Sequence, residues 1–252
     1  MTRAAAPVIE KSPSQTLKAQ LLLRDLIVQG ALKPGERVSE LQMVDRLGMS
    51  RTPIRAALVR LEQEDLLEAL PSGGFAVKAF SERDFAEAIE IRGTLEGLAA
   101  RLAAERGVRP AQLREARALL AELDTVVRRE TIEIDVSLYV ELNARFHALV
   151  IAMAGSTALA RQIERASALP FASPSALVPV QTRSPESHHI LTIAQDQHRC
   201  VIAAIERREG SRAEAIMREH ARIAHRNLER AFADQRDLAL VPGAALIRRA
   251  EV

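Results

Sequence analysis

The chain has 252 residues, of which 48% are apolar and 27% charged, with one Cys and a formal net charge of +2. That length suits one or two domains with a sizeable core. A lone thiol excludes an intrachain disulfide framework and fits a reducing cytoplasm. No apolar run comes near the ~18 residues of a membrane span, and Met1–Ala6 lacks the apolar core of a signal peptide, so a cytoplasmic protein without a membrane partner is expected.

Residues 1–13 are expected to form a disordered tail. Leu17 to Gln29 carries apolar residues at Leu21, Leu22, Ile27 and Val28, and Gly30 and Lys33-Pro34-Gly35 stop it. This reads as a supporting first helix. Ser39 to Leu47 reads as a short amphipathic helix with Leu41, Val44 and Leu47 inward. Gly48-Met49-Ser50 makes a tight turn, and a second helix follows with Ser50 as its hydroxyl N-cap and Pro53 in its first turn. Ile54, Leu58 and Leu61 recur at helical spacing on its buried face. Two helices joined by such a turn describe a helix-turn-helix.

The charges of the second helix run against its dipole. Arg51, Arg55 and Arg60 lie towards its start, and Glu62, Glu64 and Asp65 at its end, the reverse of what the macrodipole prefers. A polyanion lying on the N-terminal half accounts for that order, since arginines there meet phosphates and guanine edges. A solvated helix with poorly placed charges is the bland alternative. Residues 1–80 hold 11 Lys/Arg against 9 Asp/Glu, and the remainder holds 24 of each. The argument for DNA therefore rests on local placement, not on bulk charge. Leu66–Leu70, Pro71-Ser72-Gly73-Gly74 and Phe75–Lys78 then read as strand, turn and strand, which makes the motif winged.

The run GALKPGERVSELQMVDRLGMSRTPIRAALVRLEQEDLLEALPSGGFAV resembles the DNA-binding domain of the GntR superfamily of bacterial transcription regulators. The resemblance spans the first ~80 residues, the size of a small domain. Residues 14–79 are expected to form this winged helix-turn-helix.

Beyond the wing, Ser81-Glu82-Arg83-Asp84 opens a new helix with an N-cap and an acidic first turn. It runs to about Glu105, and further helices are expected at Ala111–Arg128, Asp135–Ala154, Ala158–Ala168, Pro185–Glu209 and, capped by Ser211, to about Asp234. Leu169–Ser184, rich in proline, reads as an irregular crossing. Residues 80–235 thus predict an all-helical antiparallel bundle, and residues 236–252 a loose tail. The fold class expected is mainly α, a winged helix-turn-helix followed by this bundle.

Asn143 and His147 are four apart and share a helix face. His198 and His220 lie on two further helices. Imidazoles from separate helices are a usual way to hold a transition metal in a bundle, but spacing does not show that they converge, and each taken singly reads first as a partly buried histidine satisfied by hydrogen bonds. The pieces EIRGTLEGLAARLAA, NARFHALVIAMAGS and QHRCVIAAIERREGSRAEAIMREH resemble the FCD effector-binding domain of the FadR-like branch. That resemblance implies a divalent metal, zinc or nickel, on Asn143, His147, His198 and His220, with a small carboxylate effector. The commoner first ligand there is Asp, so Asn143 is a departure that implies weaker binding. The family's arginine matches Arg92, a candidate effector contact whose bland role is an i,i+4 salt bridge with Glu96. Phe171, Leu177 and Val178 are expected to shape the pocket. His188, His189 and His225 are read as outside the ligand set.

The implied function is a ligand-gated switch on double-stranded DNA, a homodimer on a short inverted-repeat operator. Arg51 and Arg55 are expected at bases and Ser50 and Thr52 at phosphates, with Arg60 a further candidate. Ser72 and Gly73 are expected near the minor groove. Two other classes stay open. One is a metal-dependent hydrolase, against which no HExxH pairing is present. The other is a DNA-binding dimer that senses nothing, which predicts histidines far apart or fully packed.

Overall fold

The computed structural model describes residues 14–127, 134–181 and 185–248. The expected N-terminal tail, Arg128, and residues 182–184 and 249–252 lie outside this set. The chain divides into two compact units at Lys78/Ala79, one residue before the expected boundary.

In the first unit, α1 (Gln15–Val28) packs on α3 (Arg51–Gln63), with α2 (Glu40–Leu47) between them in sequence. Ser14 caps α1 by accepting from the Leu17 amide. Its buried face is Ala19, Leu23 and Ile27, whereas Leu21 and Leu22 are exposed. Contact with α3 selects the face, and a 3.6-residue period alone offers two candidate stripes when leucines are consecutive. Likewise Met43, not Leu41, is the buried residue of α2, and Leu41 is 56% exposed. Gly48 ends α2 in the left-handed region (φ 63°), which a residue without Cβ adopts at no steric cost. Pro53, Ile54, Ala57, Leu58 and Leu61 form the buried face of α3. Ser50 holds the N-cap position with extended backbone, but its hydroxyl makes no capping hydrogen bond; the expected cap is corrected.

The wing has three strands where the sequence suggested two. β1 (Arg37–Val38) pairs antiparallel with β3 (Phe75–Val77), which also pairs with β2 (Leu67–Ala69). A two-residue strand leaves no readable alternation. At the hairpin tip Gly73 (φ 85°) and Gly74 (φ 82°) both take positive φ, and Arg37 Nη2 donates to the Gly73 carbonyl at 2.9 Å.

The second unit comprises α4 (Glu82–Arg106), α5 (Pro110–Val127), α6 (Val136–Met153), α7 (Thr157–Ala166), the short α8 (Val178–Gln181), α9 (Pro185–Glu206), α10 (Gly210–Ala233) and the short α11 (Gln235–Leu238). Ser81 opens α4 with a reciprocal capping box to Asp84. Ser211 lies inside α10, whose N-cap position is Glu209 without a side-chain bond, so that expected cap is also corrected. Leu119, Leu123, Leu142, Phe146, Leu191, Val201, Ile205 and Met217 contribute to one apolar core shared by α5, α6, α9 and α10. With 18 residues and a mean hydropathy of 1.2, α6 reaches the length and apolarity of a membrane span, which corrects the statement that no run comes close. Its buried face nonetheless includes the polar Asn143 and His147, and its apolar residues fill the bundle.

Helices α4 and α10 run antiparallel in close contact, Phe85 meeting Phe232 at one end and Glu105 meeting Gly210 at the other. Small residues set the spacing. A Cβ placed on Gly93 would overlap that of Ala221, and one on Gly97 would fall 2.6 Å from Arg218 Cγ and 3.1 Å from the Glu214 carbonyl.

The expected loose tail 236–252 is corrected as far as Arg248. Leu238, Val241 and Leu246 are buried. The Phe80 amide donates to the Leu246 carbonyl and the Arg248 amide to the Phe80 carbonyl, each at 2.9 Å. The segment shows no period because it packs as short turns, with Gly243 (φ 79°) against Pro170.

Gly93→Ala gains helix propensity but forces two backbones apart, so we expect a net loss of about 1–2 kcal/mol. Urea denaturation measures it, and an unchanged midpoint contradicts the close packing.

Candidate DNA-binding face and buried histidine site

Pro53, Ile54, Ala57, Leu58 and Leu61 face inward on α3, so the residues between them face out. Arg51, Thr52, Arg55 and Arg60 are exposed, and with Glu40, Ala56, Val59 and Gln63 they line a groove of about 760 Å³. Arg55 Nε lies 3.5 Å from Glu40, and Arg60 donates to Gln20 Oε1 at 3.3 Å. Ser50 is exposed at the head of α3, and Ser72 and Gly73 are exposed at the wing tip. The unit thus presents the start of α3 on its surface, while Ser72 and Gly73 sit on the hairpin held by Arg37. Arg37 was not singled out from the sequence, which gave no sign of a third strand.

In the second unit His147 (α6), His198 (α9) and His220 (α10) come together, with one nitrogen from each ring lying within 4.8 Å of the others. All three are buried. Their outward nitrogens are each held. Glu96 Oε1 lies 3.1 Å from His147 Nδ1, and a carboxylate only accepts, so Nδ1 carries the hydrogen. Gln195 Nε2 donates to the Leu120 carbonyl (3.0 Å) and to Asp124 (2.6 Å). This leaves Gln195 Oε1 to accept from His198 Nδ1 at 3.0 Å. Gln197 Oε1 stands 3.3 Å from His220 Nδ1.

The Nε2 atoms of the three rings thus face one another. His198 Nε2 and His220 Nε2 are 3.1 Å apart, within hydrogen-bond distance when either ring carries its hydrogen there, and buried His147 Nε2 has no partner. Asn143 donates from Nδ2 to Ser175 Oγ at 3.0 Å, which leaves its buried Oδ1 unpaired. Leaving such acceptors bare inside a protein costs about 1–3 kcal/mol each. This donor set, with two of its acceptors unpaired, fits a cation.

Arg92, Asn143 and His220 line one cavity of about 20 Å³ with Tyr139, Pro174, Leu177 and Val178, room for one or two waters. Leu177 and Val178 stand where expected. Phe171 does not, since it stacks on Phe85 with centroids 3.4 Å apart. Arg92 makes the i,i+4 bridge, Nη1 to Glu96 Oε2 at 2.8 Å, yet its buried Nε has no partner, so one edge of the guanidinium stays open. His225 is 3.4 Å from Glu229 and 41% exposed, outside the cluster, and His189 is exposed.

The electrostatics follow from burial. Burial pushes His198 well below the usual imidazole value, aided by the neighbouring His220 and His147. It brings His220 down to about 3, with His147 adding to the effect and Glu96 opposing it. For Glu96 burial acts upward, but Arg92 and then His147 outweigh it and hold the carboxyl down to about 2.

Two domain descriptions divide the chain in the same way. "Bacterial regulatory proteins, gntR family" matches residues 15–77, and "FCD domain" matches residues 87–223. The chain belongs to the GntR family and carries an FCD domain. The relatives that it matches are named as HTH-type transcriptional regulators. It is similar to the HTH-type regulator McbR of Escherichia coli (strain K12), 36% identical over 49% of this chain and 55% of that one. It is 27% identical to the HTH-type transcriptional repressor GlaR of the same organism, over 79% of this chain and 88% of that one. The chain spans about half the length of the curated relatives it matches at a third identity or more. The solved structure of E. coli McbR/YncC shares the fold, with a TM-score of 0.61 at 23% identity, covering 88% of this chain and 100% of that one.

Acid should unfold the metal-free protein from this site outward. Below pH about 6.5 the unfolded chain protonates histidines that the fold keeps neutral, so stability falls towards pH 3, and from about 4.5 to about 2 Glu96 acts in the same direction. We expect a loss on the order of 2 kcal/mol from His220 between pH 6.5 and 5, with His198 acting in the same direction. Urea melts of wild type and His220→Gln at several pH values check it, and the variant should show the shallower slope.

Proposed function

We propose that this regulator is a cytoplasmic homodimeric repressor whose hold on DNA is set by a small carboxylate bound beside a divalent metal. The observation that carries the reading is the buried convergence of the three imidazoles, with His147 Nε2 and Asn143 Oδ1 left without a partner. Asn143 Oδ1 and the Nε2 atoms of His147, His198 and His220 are the proposed ligands, and imidazole suits zinc or nickel. The metal, when bound, supplies a positive centre for an anion. Arg92 presents its open Nε edge to the same cavity and gives the anion a second, charge-assisted contact. A cavity of about 20 Å³ is too small for an organic acid, so binding has to displace the Pro174–Val178 cover. That displacement is the proposed start of the switch.

On the DNA side, Arg51 and Arg55 reach bases, Ser50 and Thr52 reach phosphates, and Arg60 is left at the groove's end. Ser72 and Gly73 approach the minor groove. A dimer sets two α3 helices one helical turn apart, so the operator is a short inverted repeat. The name of GlaR, a repressor, supports the sign of regulation. Against a dimer that senses nothing stands the cluster itself, where a purely structural core leaves His147 Nε2 and Asn143 Oδ1 uncompensated.

Two measurements test this. Native mass spectrometry of protein purified without chelator should show a dimer with one metal per subunit, which His147→Ala lacks. A dimer that stays bare after zinc or nickel is added overturns the metal assignment. Separately, Arg51→Ala should weaken operator binding by about 1–3 kcal/mol with relaxed specificity, read by fluorescence anisotropy. Equal weakening on all sequences makes Arg51 a phosphate contact instead.

A further inference from the structure

This inference rests on the metal reading above and concerns how that site is charged and aimed. Every proposed ligand atom is neutral, namely three imidazole nitrogens and the Asn143 amide oxygen. A divalent cation buried among them has no anion in contact with it, and burying uncompensated charge is costly. Among the described residues, one carboxylate is buried against this donor set. Glu96 is 1% exposed, and it reaches His147 Nδ1 with one oxygen and Arg92 Nη1 with the other, at 3.1 and 2.8 Å.

We propose that Glu96 is the positioning residue of the site, holding His147 with its Nε2 lone pair inward and supplying through that ring the negative charge the ligands themselves lack. The i,i+4 geometry of α4 sets the contact with Arg92, and the packing of α6 on α4 sets the one with His147. Arg92 spends Nη1 on Glu96 and keeps Nε open, so the same carboxylate aims the guanidinium edge that an anion would use. His147 bears the larger effect, because a ring nitrogen hydrogen-bonded to a carboxylate makes the opposite nitrogen a stronger donor to metal. The other two rings are held by Gln195 and Gln197, which orient without adding charge. Loss of Glu96 therefore differs in kind from loss of either glutamine.

The bland role for Glu96 is a buried counter-ion for Arg92, which affects folding alone. Full-length wild type, Glu96→Gln, Asn143→Asp and the double variant, stripped of metal, are titrated with zinc against a chromophoric chelator. Glu96→Gln keeps the shape and removes the charge. We expect roughly tenfold to hundredfold weaker zinc binding, with the added Asn143→Asp recovering much of it. Zinc binding by Glu96→Gln within twofold of wild type overturns the proposal, provided that His147→Ala still loses the metal. A wild type that takes up no zinc withdraws the metal reading and this inference together. Nitrogen-15 spectra of metal-free wild type give a second test that needs no variant at Glu96. His147 hydrogen on Nδ1 supports the proposal, and hydrogen on Nε2 overturns it.

Discussion

The second unit depends on how closely α4 and α10 approach. Gly93 and Gly97 allow the α10 backbone nearer than any side chain at those positions would. The residues beside them, Arg92 and Glu96, are thereby buried against His220 and His147 instead of meeting water. An apolar stripe of ordinary width would have held the same two helices together at a greater distance. The tight seam turns an i,i+4 pair of the kind found on many helix surfaces into a buried one. A pair stripped of water is worth keeping only when further hydrogen bonds meet its remaining capacity, and Glu96 meets part of it through His147.

The first unit shows the opposite use of charge. Arg51 and Arg55 sit exposed at the start of α3, where the helix's own field disfavours cations. Nothing within the unit compensates fully, since Arg55 has only a long contact to Glu40. A surface arranged against its own stability is better explained by what it touches than by what holds it. The wing is braced more firmly, by a third strand and by Arg37 at its tip.

Much of this architecture was legible in the sequence, and the failures share a cause. The turn at Gly48, the buried face of α3 and the Ser81 cap of α4 rest on local chemistry and came through, whereas the caps expected at Ser50 and Ser211 did not. The inward face of α2 was misjudged because Leu41 is exposed while Met43 is buried; tertiary contact, not hydrophobicity, made that choice. The helix carrying Asn143 and His147 was readable, but their meeting with His198 and His220 was implied only by family resemblance. Glu96 appeared only as a partner for Arg92. Its contact with His147 crosses 51 residues and leaves no trace in any local pattern. Gln195, three residues before His198, could have been found by helical spacing, whereas Gln197 holds a ring on another helix altogether.

The pairing of Phe80 with Leu246 and Arg248 also bears on the order in which the molecule is made. It joins the first residues of the second unit to nearly the last that are described, so the loop it closes contains the entire bundle. Closing so long a loop costs little more at equilibrium than closing a moderate one, because the entropy grows only logarithmically. In time the cost is different. Such a contact must wait for almost the whole chain, and domains emerging from a ribosome fold in turn from the N-terminus. The backbone just after the first unit is therefore fixed late, when the helix-turn-helix and the bundle have already formed.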